Sequence, residues 1–340
     1  MIGLDISDQS IKLVQFSQHS TPQLIAHCWH PVPAGAMNKG LIQNQKEIQQ
    51  AVSETLMRCR IDGAVRDSVV ASIPETQSFL RVIEIPIMDE DEVAEAVQWE
   101  VSQHIPFGLE NVYIDWQPLH SGHKAAQGRM EVLVGAAQKK VVDPLFELLE
   151  AVHLDLAAFE LESQAIVRAL ISTELKTKQG LLVVDLGAAA TNVIIHDHGT
   201  SRFTASLQKG AADLVAVLSP ADRERITGAP HELTGNLDSL AQQLRAVQEE
   251  LVSEIRGLVE FYNSIDAQHE VREIVLTGGG SNLPGLDQAF IKFFDNVLIQ
   301  RGNPWVKIMP PRKRIRPSMT LQESVHFSTA IGLALRKALI

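Results

Sequence analysis

Two segments of the chain join an apolar strand, an aspartate and a turn of small or polar residues, a combination suited to binding phosphate. The first has Asp5 near the end of an apolar run, and the second has Asp185 at the corresponding point of a later run. Backbone N–H groups of such turns converge on an anion, while a strand-end aspartate can hold a hydrated Mg²⁺. The turn positions that would face the ligand are Ser7, Gln9 and Ser10 in the first copy and Gly187, Ala188, Ala189, Ala190 and Thr191 in the second.

A third segment supplies glycines after a strand. The apolar residues Ile274 to Leu276 lead into Gly278, Gly279, Gly280 and Ser281, and glycines let the backbone lie against a flat ligand such as adenosine. Each segment alone is a weak signal, because loops use such residues freely. Since the two aspartate hairpins repeat one another and the glycines follow them, the sequence predicts a nucleotide held between two equivalent lobes.

Length and composition indicate a folded protein of two domains. A chain of 340 residues is too long for one small core, and its 45% hydrophobic and 21% charged residues match an average globular protein. The net charge of −11 disfavours nucleic acid as a partner. No apolar run reaches the roughly 18 residues of a membrane span, and no signal-peptide pattern opens the chain, so we expect a cytoplasmic protein.

Two further features receive a structural interpretation. Cys28 and Cys59 have no paired spacing and no histidine cluster nearby, so we expect two separate thiols rather than a disulfide or a zinc site. A basic cluster follows two prolines, and a solvated loop is its favoured interpretation, with contact to lipid headgroups or an acidic partner as the alternative. The cluster comprises Arg312, Lys313, Arg314 and Arg316.

Hydrophobic periodicity places the elements that would position these residues. In the first lobe it predicts a hairpin, an amphipathic helix, a further strand and two later helices. Their residues are Ile2 to Ile6 and Ile11 to Phe16, Ile48 to Cys59, Val69 to Ile73, Val141 to Leu149 and Phe159 to Ile171.

The pattern changes between Pro74 and about Lys140, where strands surround one helix. That helix has Asp89 as a candidate N-cap, valines at i+4 spacing and Pro106 to stop it. We therefore expect an inserted α+β subdomain over residues 75–140, which divides the first lobe into residues 1–74 and 141–177. The second lobe takes residues 178–340 and includes a long helix from about Leu240 to Tyr262.

The order of the three ligand-binding segments resembles the two phosphate motifs and the adenosine motif of the actin, Hsp70 and sugar kinase superfamily. Within it, the chain resembles the PilM family of type IV pilus assembly proteins. The resemblance runs nearly end to end and is most specific around Ile105, Pro106 and Phe107. It also covers Gln103, His104, Tyr113, Asp115, Trp116, Glu254 to Arg256, Phe261, Tyr262, Leu276 to Leu286 and Ala330 to Arg336.

This resemblance implies an α/β, actin-like (ribonuclease H-like duplicated) two-lobe ATPase fold with an inserted small subdomain as in FtsA. It implies ATP and Mg²⁺ as ligands of the cleft. In the family, Lys12 would approach the phosphates, and Asp5, Glu160 and Asp185 would hold Mg²⁺ through water, with Glu162 nearby. Gly210, Glu254 and Arg256 would line the nucleotide.

The resemblance also implies partners. The expected one is the cytoplasmic N-terminal tail of a PilN-like membrane protein, contacted by Ile105, Pro106 and Phe107. The chain would then lie on the inner face of the inner membrane, within the pilus platform and within reach of its motor ATPases. A homo-oligomer is left open.

Four positions depart from the family pattern, and other functions of the fold stay open. Glu160 stands where aspartate is usual, and Lys209 before Gly210 stands where a pair of glycines is usual. Ser7 stands where glycine is usual, and Asp8 puts a negative charge beside the phosphates, which is unfavourable without a cation between them. A small-molecule kinase would need a general base and a sugar-shaped pocket, and a filament protein would need self-association. No residue is identified that orients an attacking water, so any ATP hydrolysis is expected to be slow.

Overall fold

The computed structural model describes residues 1–17, 22–61, 68–103, 105, 108–119, 128–172, 180–228, 237–265, 270–308 and 319–336. They form two lobes with a third, smaller unit inserted in the first. None of the helices in these ranges is long and apolar enough to cross a membrane. The predicted basic cluster, and Pro106 and Phe107, lie outside the described residues.

The first lobe begins with three antiparallel strands whose apolar residues alternate between the two faces of a sheet. Its elements are β1 (Ile2–Ile6), β2 (Ser10–Phe16), β3 (Leu24–Pro31), β4 (Met37–Asn38), β5 (Leu41–Ile42), α1 (Gln45–Arg58) and β6 (Val69–Ile73). The predicted hairpin, helix and strand are all present, and β3 was not predicted.

The inserted subdomain packs one helix on three antiparallel strands. They are β7 (Ser78–Pro86), α2 (Glu90–Ser102), β8 (Val112–Leu119) and β9 (Arg129–Gln138). Val93, Val97 and Val101 are buried against the sheet, as their spacing predicts. A short 3₁₀ helix, Glu75–Gln77, leads into β7 and marks the entrance to the subdomain.

The chain then returns to the first lobe through α3 (Lys139–Ala151), β10 (Leu156–Leu161) and α4 (Glu162–Leu170). The prediction of one helix from Phe159 to Ile171 is wrong in its first turn. Phe159 to Leu161 instead pair in parallel with β6, because the edge of that sheet offers backbone hydrogen bonds that the sequence alone does not show.

The second lobe repeats the arrangement of the first. Its elements are β11 (Gly180–Leu186), β12 (Thr191–Asp197), β13 (Thr200–Leu207), α5 (Ala211–Val215), α6 (Pro220–Gly228), α7 (Leu237–Ile265), β14 (Val271–Thr277), α8 (Leu286–Phe293), β15 (Leu298–Arg301), α9 (Leu321–Ser324) and α10 (Ser328–Ala334).

Strand order displays the internal repeat directly. The first-lobe sheet has the order β10-β6-β1-β2-β3, and the second-lobe sheet begins β15-β14-β11-β12-β13, so each position has a counterpart. The second sheet then continues through β7, β9 and β8 of the inserted subdomain, because Phe203 on β13 pairs with Arg81 on β7. The inserted subdomain is therefore joined to both lobes.

The last helix of the described chain contacts the first lobe as well as the second, where Ser328 bonds Thr277. Helix α10 packs on α4 and β1. A Cβ added to Gly332 would lie 1.8 Å from the carbonyl oxygen of Ala165, and one added to Gly3 would lie 2.1 Å from that of Ala330. These backbone contacts admit only glycine, so residues 328–334 pack against the first lobe although they follow the second lobe in the chain.

The two cysteines also differ from expectation. Cys28 on β3 and Cys59 at the end of α1 form a disulfide, with their Cα atoms 5.7 Å apart. The prediction of separate thiols is wrong because α1 folds back along β3 and brings together residues that are 31 positions apart in the chain.

Candidate functional site

The two predicted turns face one cavity between the lobes. Turn 1 (residues 7–10) joins β1 to β2, and turn 2 (residues 187–190) joins β11 to β12; the cavity between them measures about 190 Å³. Strand register fixes the side chains beneath each turn. Asp5 stands opposite Lys12 in the first hairpin, and Asp185 stands opposite Asn192 in the second. All four line the cavity, so the repeat in sequence is also a repeat in the site.

The two turns differ in their backbone, and that of turn 2 suits an anion. In turn 1, the Ser7 amide donates to the Ser10 carbonyl (3.0 Å) and the Ser7 hydroxyl accepts from the Ser10 amide (3.3 Å), which closes the turn. In turn 2, the amides of Ala188 and Ala189 donate no hydrogen bond within the described part of the chain. Such free, neighbouring N–H groups form an anion-binding nest.

Lys12 is the cation of the cavity floor. Its ammonium lies 3.2 Å from Asp5 Oδ2, and Asp5 Oδ1 accepts from the Ser72 hydroxyl at 3.1 Å. Burial works to lower the pKa of Lys12, but the carboxylates of Asp5, Asp185 and Glu162 together raise it above its ordinary value. Lys12 is therefore charged at neutral pH and available to a phosphate.

Acidic side chains outnumber this cation. Glu162, the first residue of α4, accepts from the Asn192 side chain at 3.0 Å and from the Glu75 amide at 3.2 Å. Burial, then the charges of Asp5 and Asp185, raise the pKa of Glu162 well above its ordinary value. Burial, with Asp5 adding to it, raises the pKa of Asp185 to about 6, against the opposing effects of Lys12 and Asn192.

These three carboxylates concentrate negative charge around one cavity. Asp5 is buried, Asp185 and Glu162 are half-buried, and a hard cation with oxygen ligands would relieve their mutual repulsion. Within the described residues they form no three-ligand group that would bind a metal ion directly, so the arrangement suits a hydrated cation.

The glycine segment contributes only partly to this cavity. Gly278 and Gly279 line it, whereas Gly280 and Ser281 are buried behind them. A Cβ added to Gly280 would lie 2.4 Å from Leu186 Cγ and 2.8 Å from the Ala211 Cβ. The cavity is smaller than the roughly 300–1,000 Å³ of typical small-molecule pockets. Its enclosed part is of a size for phosphate and metal, and it is open on one side.

The other residues expected at the nucleotide lie apart from the cavity. Gly210 packs on turn 2, where the Ala211 amide next to it donates to the Gly187 carbonyl at 2.8 Å. Beyond it, Glu254 lines a separate groove with Lys209, and the two form an ion pair at 3.5 Å. Arg256 pairs instead with Glu260 on the exposed side of α7. The structure thus does not bring Gly210, Glu254 and Arg256 into the phosphate cavity.

Glu160 does not take the expected place beside the metal. Its carboxylate forms an ion pair with Arg168, and Arg336 approaches it to 3.6 Å. Glu160 lies near the end of strand β10 rather than on a helix, and the strand ends at the next residue, Leu161. Glu162 is therefore the acid that reaches the cavity.

Several cavity residues were not predicted from the sequence. Asn192 could have been, because the internal repeat places it at the position of Lys12. Glu75 supports Glu162 from behind, and burial raises its pKa. No local signal marks the C-terminal side of the cavity, which is formed by Val325, His326, Ser328 and Thr329.

The expected partner contacts are only partly described. Ile105 is 7% exposed and packs with the valines of α2 in the core of the inserted subdomain. Its side chain thus shapes the subdomain rather than its surface, and it is not available as a direct contact.

Comparison with known proteins identifies the fold and the family. The family model for the type IV pilus assembly protein PilM matches residues 3–338. A solved PilM-PilN type IV pilus biogenesis complex contains a chain 27% identical to this one, with a TM-score of 0.82 over 98% of this chain and 97% of that one.

Two more distant structures share the fold alone. The ethanolamine utilization protein EutJ from Carboxydothermus hydrogenoformans is 17% identical, with a TM-score of 0.60 over 98% of this chain and 88% of its own. MreB 5 of Spiroplasma citri, solved bound to AMPPNP, is 12% identical, with a TM-score of 0.50 over 97% of this chain and 93% of its own. The expected actin-like two-lobe fold is confirmed. With a family model that spans almost its whole length, the chain belongs to the PilM family of type IV pilus assembly proteins.

Proposed function

We propose that this protein docks a PilN-like membrane protein at the base of the type IV pilus and holds Mg·ATP between its two lobes. The observation that carries the proposal is the likeness, over 98% of the chain, to a protein solved in a PilM-PilN complex. The partner segment is the cytoplasmic N-terminal tail of the PilN-like protein. A small-molecule kinase is less well supported, since the family match is to an assembly protein.

The cavity residues divide the work of holding the phosphates. The free amides of Ala188 and Ala189 receive phosphate oxygens, and Lys12 neutralises part of their charge. Asp5, Asp185 and Glu162 would hold a hydrated Mg²⁺. When bound, Mg²⁺ supplies the positive charge that separates these carboxylates from the phosphates.

Adenosine would extend beyond the enclosed part of the cavity. Gly278 and Gly279 form the near wall of its proposed position, and the groove of Lys209 and Glu254 forms the far side. Because the Ala211 amide bonds the Gly187 carbonyl between them, we propose that nucleotide binding separates turn 2 from Gly210. The Lys209–Glu254 ion pair would open in the same step.

The location follows from the partner. The protein would lie on the cytoplasmic face of the inner membrane, held there by the PilN-like tail, as part of the pilus platform and near its motor ATPases. Self-association into a homo-oligomer is compatible with this arrangement.

Calorimetric titration tests both halves of the proposal separately. Mg·ATP is titrated first, and a synthetic peptide of the PilN-like tail second. Asp185→Ala should lose saturable Mg·ATP binding, whereas the exposed Asp155→Ala, the matched control, should retain it. Peptide binding without Mg·ATP binding would refute the proposed nucleotide site. Failure of the peptide to bind would refute the proposed partner.

A further inference from the structure

Asp8 in turn 1 uses its carboxylate to hold a neighbouring turn. Oδ2 accepts from the Lys39 amide and Oδ1 from the Gly40 amide, each at 2.8 Å. Lys39 and Gly40 both have positive φ, 51° and 77°, a conformation that a lysine rarely adopts without support. Charged acceptors make the stronger kind of hydrogen bond, so these two bonds fix turn 1 to the 39–40 turn.

The 39–40 turn is itself hydrogen-bonded to the segment that enters the inserted subdomain. The Lys39 carbonyl accepts from the Gln77 side chain at 2.7 Å and from the Thr76 hydroxyl at 3.3 Å. Gly40 lies so close to Pro74 that an added Cβ would come within 2.8 Å of its ring. No side chain larger than hydrogen fits between the turn and the 74–77 segment.

The last hydrogen bond in this series reaches the point where the polypeptide leaves the same subdomain. The Gln138 side chain donates to Gln77 Oε1 at 2.8 Å. Gln77 immediately precedes β7 and Gln138 ends β9, and these two strands pair from Ser78 and Ala137 onward. Both strands by which the chain enters and leaves the inserted subdomain are therefore bonded, through Lys39, to Asp8.

From this path we infer that Asp8 is a positioning residue that couples the phosphate cavity to the orientation of the inserted subdomain. A ligand that shifts turn 1 has two possible effects. It moves the 39–40 turn together with Gln77 and Gln138, or it breaks the two charge-assisted hydrogen bonds of Asp8. The charge of Asp8 beside the cavity thus has a role other than contact with phosphate.

Coupling of this kind acts in both directions. If an occupant of the cavity changes the affinity of the inserted subdomain for a partner, the partner changes the affinity of the cavity by the same factor. This consequence rests on the proposed function, which supplies the two ligands. The path from Asp8 to Gln138 rests only on the hydrogen bonds and can be tested without any ligand.

The first experiment measures amide hydrogen exchange in the ligand-free protein. Asp8→Ala should speed exchange of the Lys39 and Gly40 amides at least tenfold and also speed exchange at residues 77–78 and 137–138. Gln77→Ala, which leaves the cavity intact, should affect 137–138 in the same way, and the exposed Asp155→Ala should affect none of them. Faster exchange confined to residues 39–40 in the folded Asp8 variant would overturn the inference.

The second experiment measures coupling with Mg·AMPPNP and the PilN-like tail peptide as probes. In the wild type, one probe should change the affinity for the other by about fivefold or more, a typical size for allosteric coupling. In Asp8→Ala and Gln77→Ala the factor should fall to near one. Equal coupling in all three proteins would refute a role for Asp8. If Mg·AMPPNP does not slow amide hydrogen exchange at residues 187–190 of the wild type, the proposed nucleotide site is wrong. The first experiment still decides whether Asp8 is coupled to Gln138.

Discussion

Asp185→Asn should make the protein more stable and its cavity less able to bind a cation. The change removes a negative charge from a buried site without changing the size of the side chain. Burial and the charge of Asp5 raise the pKa of Asp185 from 3.8 to about 6, so its ionised form lowers the stability of the folded protein. The uncharged amide of asparagine does not lower stability in this way.

The size of the effect follows from the pKa. At about 1.4 kcal/mol for each factor of ten in proton affinity, a rise from 3.8 to about 6 corresponds to about 3 kcal/mol of lost stability at neutral pH. For 340 residues unfolding together, this would shift the midpoint of thermal unfolding by about 4 °C.

The pH dependence has a definite sign. Between pH 3.8 and 6 the folded state binds a proton that the unfolded state has already released, so wild-type stability falls as pH rises through this window. The advantage of the asparagine variant should therefore be complete above about pH 7 and absent near pH 3.8. Asp155→Asn, at an exposed carboxylate, serves as the control and should show no such trend.

Thermal unfolding at pH 4.5, 6 and 7.5, with and without Mg²⁺, measures both effects. Mg²⁺ should raise the midpoint of the wild type, because a ligand of the folded state stabilises it, and should leave Asp185→Asn unchanged. If the variant is less stable than the wild type at pH 7.5, or equally responsive to Mg²⁺, the cavity is not the strained acidic site described above.

Three further predictions concern the fold and assembly. Gly332→Ala should destabilise the protein by at least the 1–3 kcal/mol of ordinary overpacking, because its Cβ would meet the backbone of Ala165; a denaturation midpoint equal to that of the wild type would contradict this contact. Arg202→Ala leaves Glu131 buried without its ion-pair partner and should lower the free energy of unfolding by about 3–5 kcal/mol. Adding Glu131→Leu should restore most of that stability. A double variant no more stable than Arg202→Ala would rule out the unpaired charge as the cause. If the protein forms filaments, Mg·ATP should deplete it from the supernatant on sedimentation, and an unchanged supernatant would exclude nucleotide-driven polymerisation.

Local patterns were sufficient to predict the two hairpins whose turns face one cavity. Continuous apolar strands and small turns marked both hairpins, and the repeat predicted that they would face each other. Antiparallel pairing then fixes Asp5 opposite Lys12 and Asp185 opposite Asn192, a relation that was not predicted from the hairpin pattern.

Features that depend on distant contacts could not be predicted in this way. Whether Glu160 or Glu162 reaches the cavity depends on where β10 ends, and that end is set by pairing with β6. The contact of α10 with the first lobe depends on close backbone approaches at glycine, Gly3 to Ala330 and Gly332 to Ala165, between residues far apart in the chain. The disulfide likewise depends on how α1 lies along β3. Tertiary packing determines all three.

The central claim, that this protein docks on a PilN-like tail, is tested most directly by flotation with lipid vesicles. Vesicles carry either the full-length PilN-like protein or a version lacking its N-terminal cytoplasmic tail, and the chain is added to each. We predict that the chain floats with the full-length protein and stays at the bottom of the gradient with the truncated one. Equal flotation with both proteins, or with neither, would contradict the claim.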